Sequence, residues 1–488
     1  MNQKFMNSIN TSGKDPISAS TKLQNQFLQT RAAYELDRCP HGDTRRLALA
    51  KLEQLLVANN VAIQAAISAD FGNRSTHETQ LLEMFPALSA IRHARAHVKS
   101  WTSPTRRFAS LWFMPARTEI RAQPLGVVGI IVPWNYPLLL AVGPMVAALA
   151  AGNRILIKMS EFTPRFGQLF AKLMAENFAS DHVAVINGDA KIAVAFSELP
   201  FDHLLFTGST SVGRQVMRAA AENLTPVTLE LGGKSPAIIG PDADIAEAAQ
   251  KIIFGKCLNA GQTCIAPDYV LLPRDKKTAF IDAAKNTVAA LYPTFANNPD
   301  YTSIINARHV ARLQNYLLDA ASKGASVTLL SPANEPFEIE NQTAQKIVPT
   351  LVYGVNENML LMQEEIFGPI LPLVPYDSLE AAIQYVNDHP RPLALYYFGR
   401  SEQHVERVLS ETVAGGVTIN ETLLHISQDE LPFGGVGPSG MGAYHGKFGF
   451  DTFSKLKPVF RQPKLNGLNL LKPPYGKRVE AMLKLLLK

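Results

Sequence analysis

Apolar positions fall into three regimes along the chain. From residue 22 to residue 100 they recur at helical spacing, as in TRRLALAKLEQLLVANNVAIQAAISADFG, which ends in turn residues. From 108 to 125, in FASLWFMPARTEIRAQPL, the pattern is closer to alternation and predicts an extended, hairpin-like stretch. Beyond that point short β-rich runs alternate with helical ones. GVVGIIVP, NRILIKMS, HVAVING, FDHLLFTG and TPVTLELGG read as strands. LLLAVGPMVAALAAG, TPRFGQLFAKLMAENF, DAKIAVAFSEL and SVGRQVMRAAAENL read as helices, the second with Thr163 as N-cap and Pro164 in the first turn. This rhythm predicts a parallel sheet covered on both faces, with ligands at the carboxyl ends of its strands. A second α/β block follows from 233 to 438, with helices in DIAEAAQKIIFGKCLNA and SLEAAIQYVNDH and strands in YVLLP, PILPLVPY and GGVTIN. No short-period repeat is visible.

Two apolar stretches raise the question of membranes. Residues 122 to 153 carry no charge, but Pro124, Pro133, Pro137 and Pro144 interrupt them. A spanning helix needs about 20 continuous apolar residues, so a strand, a turn and a buried helix fit better. Near the end, Val479, Met482, Leu483, Leu486 and Leu487 fall on one helical face, flanked by Lys477, Arg478, Lys484 and Lys488. This amphipathic tail is too short to span a bilayer. Packing on the protein's own surface or on a partner subunit is favoured over peripheral contact with an anionic membrane.

Composition narrows the classes. At 488 residues, two or more domains are expected. Hydrophobic residues make up 47% and charged residues 18%, as in a well-packed soluble protein. The formal charge of +5 is spread along the chain, with no basic run to form a nucleic-acid footprint. Cys39, Cys257 and Cys264 are odd in number and form no CxxC pair, which argues against a disulfide framework and for a reducing, cytoplasmic setting. HExxH and Cys-pair spacings are absent, so no metal is expected. The first 20 residues, rich in Ser, Thr and Asn, read as a loose leader without the apolar core of a secretory signal.

Five segments carry candidate chemistry, each with a bland alternative. Cys264, in NAGQTC, is either a nucleophilic thiol approached past Gln262 and Thr263 or a small core residue. Glu230, at a strand end before Gly232 and Gly233, is either a general base or a solvated terminus. Asn135, between Pro133 and Pro137, is either an oxyanion donor or a turn residue. FTGSTSVG has the strand, glycine and helix order of a phosphate site, although it is not GxGxxG. Lys158 and Glu161, in KMSE, are placed to bond sugar hydroxyls, and a carboxylate there disfavours a 2′-phosphate.

Together these segments resemble the aldehyde dehydrogenase superfamily over about 440 residues. PWNYP, FTGSTSVG, LELGGKSP, NAGQTC, EEIFGP and PFGGVGPSGMG occur in the family's order, with Cys264 34 residues after Glu230. LPFGGVGPSGMGAYHG and EEIFGPILP look most like the class 3 branch. The tail and DFGNRSTHET are similar to bacterial coniferyl aldehyde dehydrogenases.

The resemblance implies an α/β fold with a Rossmann-like parallel-sheet domain for NAD, or NADP, from 21–107 and 127–232. It implies a second α/β catalytic domain at 233–438, a small β oligomerisation element from 108–126 and 450–470, and the amphipathic tail at 473–488. It implies Cys264 as nucleophile, Glu230 as base, and Asn135 with the Cys264 backbone N–H as oxyanion hole. Lys158, Glu161, Gly208, Ser209, Trp134, Glu365 and Phe367 would bind the cofactor, and Tyr136 and Phe433 would wall a substrate tunnel. The substrate would be a small aldehyde, aromatic or medium- to long-chain, and the assembly a homodimer. Two departures stand out: Met159 replaces a usual proline, and Ser211 a usual glutamate, which leaves NAD against NADP open. A non-catalytic protein on the same fold and a coenzyme A-acylating enzyme remain as alternatives; Cys264, Glu230 and Asn135 being intact weighs against the first, and Glu230 against the second.

Overall fold

The computed structural model describes residues 16–340, 345–464, 466 and 472–487. Two sheets organise it. The first runs, edge to edge, Gly440–Met441, Val227–Leu231, His203–Gly208, Val127–Ile131, Arg154–Lys158, Val183–Ile186. All pairs are parallel except the short edge strand Gly440–Met441. Val127–Ile131 is buried at every position, as expected for a strand covered on both faces. The chain runs outward from it to 154–158 and 183–186, then returns to its other side at 203–208. That reversal makes a crevice at the carboxyl ends of 127–131 and 203–208, the place where such sheets bind ligands.

The second sheet repeats the logic. Its order is Ser326–Leu329, Thr350–Tyr353, Ile370–Tyr376, Tyr269–Pro273, Pro236–Ile239, Ala394–Phe398, Gly416–Ile419, with 326–329 alone antiparallel. The link back to the first sheet is Gly440, which pairs with Glu230. Gly440 has φ +145°, and a Cβ there would collide with the Leu229 carbonyl. Only glycine lets the returning chain lie along the strand that presents Glu230.

A third, three-stranded antiparallel sheet joins Thr105–Arg107, Arg117–Pro124 and Ser454–Arg461. It takes in residues 105–107, which the sequence division left with the first block, while 450–452 finish the helix Gly446–Thr452. The hairpin-like stretch also contains a 3-10 turn at Leu111–Phe113.

Two local expectations need correcting. The leader was expected to be loose through residue 20, but a helix begins at Pro16 and runs to Leu36; residues 1–15 lie outside the described residues. Thr163 does not cap the helix Pro164–Asn177 with its side chain. Asp70 does so from another helix, its carboxylate accepting from the N–H groups of Arg165 (3.0 Å) and Phe166 (2.9 Å). The tail forms a helix, Lys477–Leu486, but only Val479 is buried and Met482 half-buried; Leu483, Leu486 and Leu487 stay exposed. Among the described residues no helix is long and apolar enough to cross a membrane.

Candidate active site

Cys264 follows a backbone that few sequences tolerate. Asn259, Ala260 and Gly261 all have positive φ (52°, 51° and 72°). The two non-glycine residues cost of order 1–3 kcal/mol each, so the surroundings must hold them. The Asn259 N–H donates to Glu78 Oε1 (3.2 Å) and Oε2 (3.1 Å). Its amide donates to the carbonyls of Asn135 and Gln262, both at 3.1 Å. Gln262 donates to Asn259 O and Ser303 O (3.0 Å each) and accepts from Ile305 N–H (3.0 Å). Gln262 is therefore a buried tie, not a polar approach to the sulfur. Gly261 packs so closely on the Gly368 carbonyl that a Cβ would collide with it.

PWNYP meets this loop residue by residue. Asn135 Nδ2 donates to Gln262 O (3.2 Å), leaving its second N–H without a bonded partner. The next side chain, Tyr136, shares a 2.6 Å hydrogen bond with Thr263 Oγ1. Behind both, Arg74 donates to Asn135 O (2.9 Å) and pairs with Glu83 at 2.8 Å, both side chains fully buried. Glu83 also accepts from Leu138 N–H (2.7 Å) and Leu139 N–H (3.1 Å), the first turn of the helix Leu139–Ala151. Charge, loop and helix start are fixed as one unit.

The groups facing the sulfur are bare by contrast. Glu230 is 2% exposed, and neither carboxyl oxygen has a hydrogen-bond partner among the described residues. Burial pushes it well above the usual carboxylate range. Glu365 is pushed up to about 8 by burial, then by nearby Asp268, with the Gly233 N–H pulling the other way. Burial raises the Cys264 thiol; the fields of Glu365 and Glu230 raise it further, and its own N–H and that of Ile265 oppose them. Both carboxyl groups therefore lie close enough for their fields to act on Cys264.

A cavity of about 320 Å³ opens onto Cys264. Tyr136, Thr263, Leu139, Trp101 and Tyr444 are among its walls, and the lining is mostly apolar. Phe433, expected to wall it, does not line it: the ring lies one layer back, against Tyr444 (6.0 Å) and His445 (5.2 Å). Tyr444 takes the front position, with its backbone N–H donating to the Phe433 carbonyl (3.2 Å).

The remaining candidates sit at the crevice of the first sheet. Lys158 is buried at a strand end, donating to the carbonyls of Met159 and Gly188 (2.8 Å each) with one N–H to spare. Glu161 is exposed beside it. Gly208 ends the strand His203–Gly208, and Ser209 caps the helix Thr210–Ala221 by accepting from Val212 N–H (3.4 Å). Trp134 meets Phe367 edge-on at 5.4 Å. The residues fit a dinucleotide: a Cβ at Gly232 would collide with the Glu365 carboxyl, whose Oε1 is buried without a partner. An orphaned acceptor over bare backbone, a helix N-terminus and a buried lysine are what ribose hydroxyls and a pyrophosphate require.

Sequence reasoning missed Arg74, Glu78, Glu83 and Asn259. Arg74, Glu78 and Glu83 lie in RSTHETQLLEMF, a largely polar stretch in which nothing singles them out, and Asn259 is the asparagine of NAGQTC. Sequence reasoning also missed Lys256, 2% exposed, whose Nζ makes no hydrogen bond and which burial lowers to about 8.

Residues 21–459 match the aldehyde dehydrogenase family, and the chain belongs to that family. It is an NAD(P)-dependent aldehyde dehydrogenase. Its relatives narrow the branch. It is 52% identical over 461 residues to a Pseudomonas aeruginosa protein named probable coniferyl aldehyde dehydrogenase, covering 94% of this chain and 95% of that one. It is 48% identical over 445 residues to the coniferyl aldehyde dehydrogenase of Pseudomonas sp., covering 90% and 92%. Among solved structures, the substrate-bound state of Staphylococcus aureus AldH superposes with a TM-score of 0.89 at 37% identity, covering 96% of this chain and 99% of that one.

Proposed function

We propose that the chain oxidises an aromatic aldehyde of the coniferaldehyde type to its carboxylic acid, with Cys264 as nucleophile, Glu230 as base and Asn135 as oxyanion donor. The single observation that carries the chemistry is Cys264, a part-exposed residue lining an apolar cavity, in the field of the buried Glu230 carboxyl group, which has no hydrogen-bond partner among the described residues. The substrate assignment rests on the two coniferyl aldehyde dehydrogenase relatives and on the aromatic walls Trp101, Tyr136 and Tyr444.

The Cys264 sulfur, once its proton has left to solvent, adds as a thiolate to the carbonyl carbon, forming a C–S bond and turning the carbonyl oxygen into an oxyanion. The free N–H of Asn135 Nδ2 and the Cys264 backbone N–H receive that charge. When bound in the crevice, a nicotinamide would supply the hydride acceptor. Lys158 and Glu161 would hold the adenosine ribose, Gly208 and Ser209 the pyrophosphate end, and Glu365, Phe367 and Trp134 the nicotinamide ribose and ring. Loss of hydride from that carbon, as the oxyanion collapses to a carbonyl, leaves a thioester on Cys264. Glu230, kept basic by burial, takes a proton from water, whose oxygen attacks the thioester carbon and releases acid and thiol. A base so placed favours hydrolysis over transfer to coenzyme A. The exposed Glu161 favours NAD over NADP.

A homodimer through the three-stranded sheet fits the exposed Phe113, Met114, Leu456 and Phe460 on and beside it. Three free thiols fit a cytoplasmic location. The test compares kcat/KM for coniferaldehyde, benzaldehyde, hexanal and acetaldehyde, each with NAD and NADP. Coniferaldehyde with NAD should lead; a preference for acetaldehyde would overturn the substrate, and substantial NADH formation by Cys264→Ala the mechanism.

A further inference from the structure

We propose that His93, His97 and Glu430 form a binding site for a divalent transition-metal ion of the zinc class, at the rim of the substrate cavity. Among the described residues this group stands out: one ligand atom from each side chain lies within 4.8 Å of the others. It includes none of the groups assigned to catalysis, so its occupancy does not depend on the substrate reading.

His93 and His97 are one turn apart on the helix Phe85–Thr102 and share a face, with ring centroids 4.3 Å apart. The pair is already set up as ligands. His97 Nδ1 lies 2.9 Å from the His93 carbonyl. A carbonyl only accepts, so Nδ1 carries the proton and Nε2 keeps its lone pair, the tautomer that a metal-binding imidazole needs. His93 Nε2 is buried and has no hydrogen-bond partner, although Glu430 Oε1 is 3.2 Å away. Two ligands about 2.0–2.1 Å from a tetrahedral ion stand about 3.3 Å apart. The His93–Glu430 separation therefore already matches a tetrahedron edge. Glu430 is exposed and can close the remaining distance, and water can take the fourth position. The neighbouring Asp429 accepts from Ser89 Oγ (2.8 Å), which ties the loop to the same helix before any ion binds.

Two imidazoles and one carboxylate select zinc, cobalt, nickel or copper over calcium and magnesium. The consequence is mechanical. Ala90, Ala94 and Trp101 from this helix and Asp429 from the loop all line the cavity. His97 stacks on Trp101 at 5.6 Å. An ion here clamps helix to loop and stiffens the cavity wall.

The experiment titrates chelator-stripped full-length protein with Co2+, followed by d–d absorption, with Zn2+ in competition. One equivalent should bind, and His93→Ala and His97→Ala should each weaken it about tenfold or more. Glu430→Gln, a change on an exposed loop that leaves folding intact, should also weaken it. Ni2+ should quench tryptophan fluorescence in the parent and not in Trp101→Phe. The proposal is overturned if the histidine variants bind like the parent, if Glu430→Gln leaves affinity unchanged, or if the cobalt spectrum shows a thiolate charge-transfer band that Cys264→Ala abolishes.

Discussion

Two pairs of glutamates flank the Cys264 loop, Glu365 half-buried and the other three buried, and they differ in what they touch. Behind the loop, Glu78 accepts from Asn259 N–H and, at 2.6 Å, from Thr302 Oγ1. Glu83 pairs with Arg74 and accepts from two helix N–H groups. In front, Glu230 has no partner, and the Gly233 N–H is the one hydrogen bond acting on the Glu365 carboxyl. Burial is the largest influence on all four. For the rear pair, bonds and a guanidinium pull back toward the ionised form; for Glu230 nothing does. A buried carboxyl group without partners is costly unless its proton affinity is used. The rear pair hold shape, and the front pair are left available for chemistry.

Glu230→Gln is the harshest test of that division. It should lower steady-state turnover by about 10²–10⁴, the usual worth of a positioned base. In stopped flow, the first equivalent of NADH should still appear, because only thioester hydrolysis has lost its base. If Glu78→Gln, at unchanged stability, removed turnover equally, the contrast between front and rear would fail.

Glu83→Gln probes the other side. It leaves the Arg74 guanidinium buried without its counter-charge, which typically costs about 3–5 kcal/mol. The midpoint of denaturant unfolding should fall accordingly, while kcat of the protein that remains folded changes far less than in Glu230→Gln. A midpoint equal to the parent's would mean that Arg74 finds water or another acceptor.

The same contrast explains what was legible in the sequence. The front of the site announces itself through short motifs at strand ends, because reacting groups must sit where glycine and turns bring backbone close. A parallel sheet covered on both faces followed from the βα rhythm, since continuous apolar runs such as GVVGIIVP admit few other placements. The rear was illegible. Nothing in STHETQLLEMF says that Glu78 will meet a backbone N–H almost two hundred residues on, nor that Ala260 will adopt a left-handed conformation. Phe433 and Thr163 misled for one reason: a motif fixes a residue's place along the chain, whereas whether a ring faces a cavity or a hydroxyl meets a helix end depends on the neighbour that arrives first, here Tyr444 and Asp70.

The gentlest probe concerns the front pair alone. Glu365 raises the Cys264 thiol through its negative charge, and its own titration is displaced to about 8. Well below that pH the carboxyl is neutral, so Glu365→Gln should alkylate with iodoacetamide at the parent rate. As pH rises through the Glu365 titration, the parent gains a carboxylate beside the sulfur and the variant does not. Its thiol then ionises more readily, and alkylation should run a few-fold faster than in the parent, with the gap opening only on the alkaline side. Equal rates at every pH would mean that the two groups do not sense each other. A variant slower throughout would mean that Glu365 withdraws the thiol proton, which would make it a second base and the front pair a shared acid–base system.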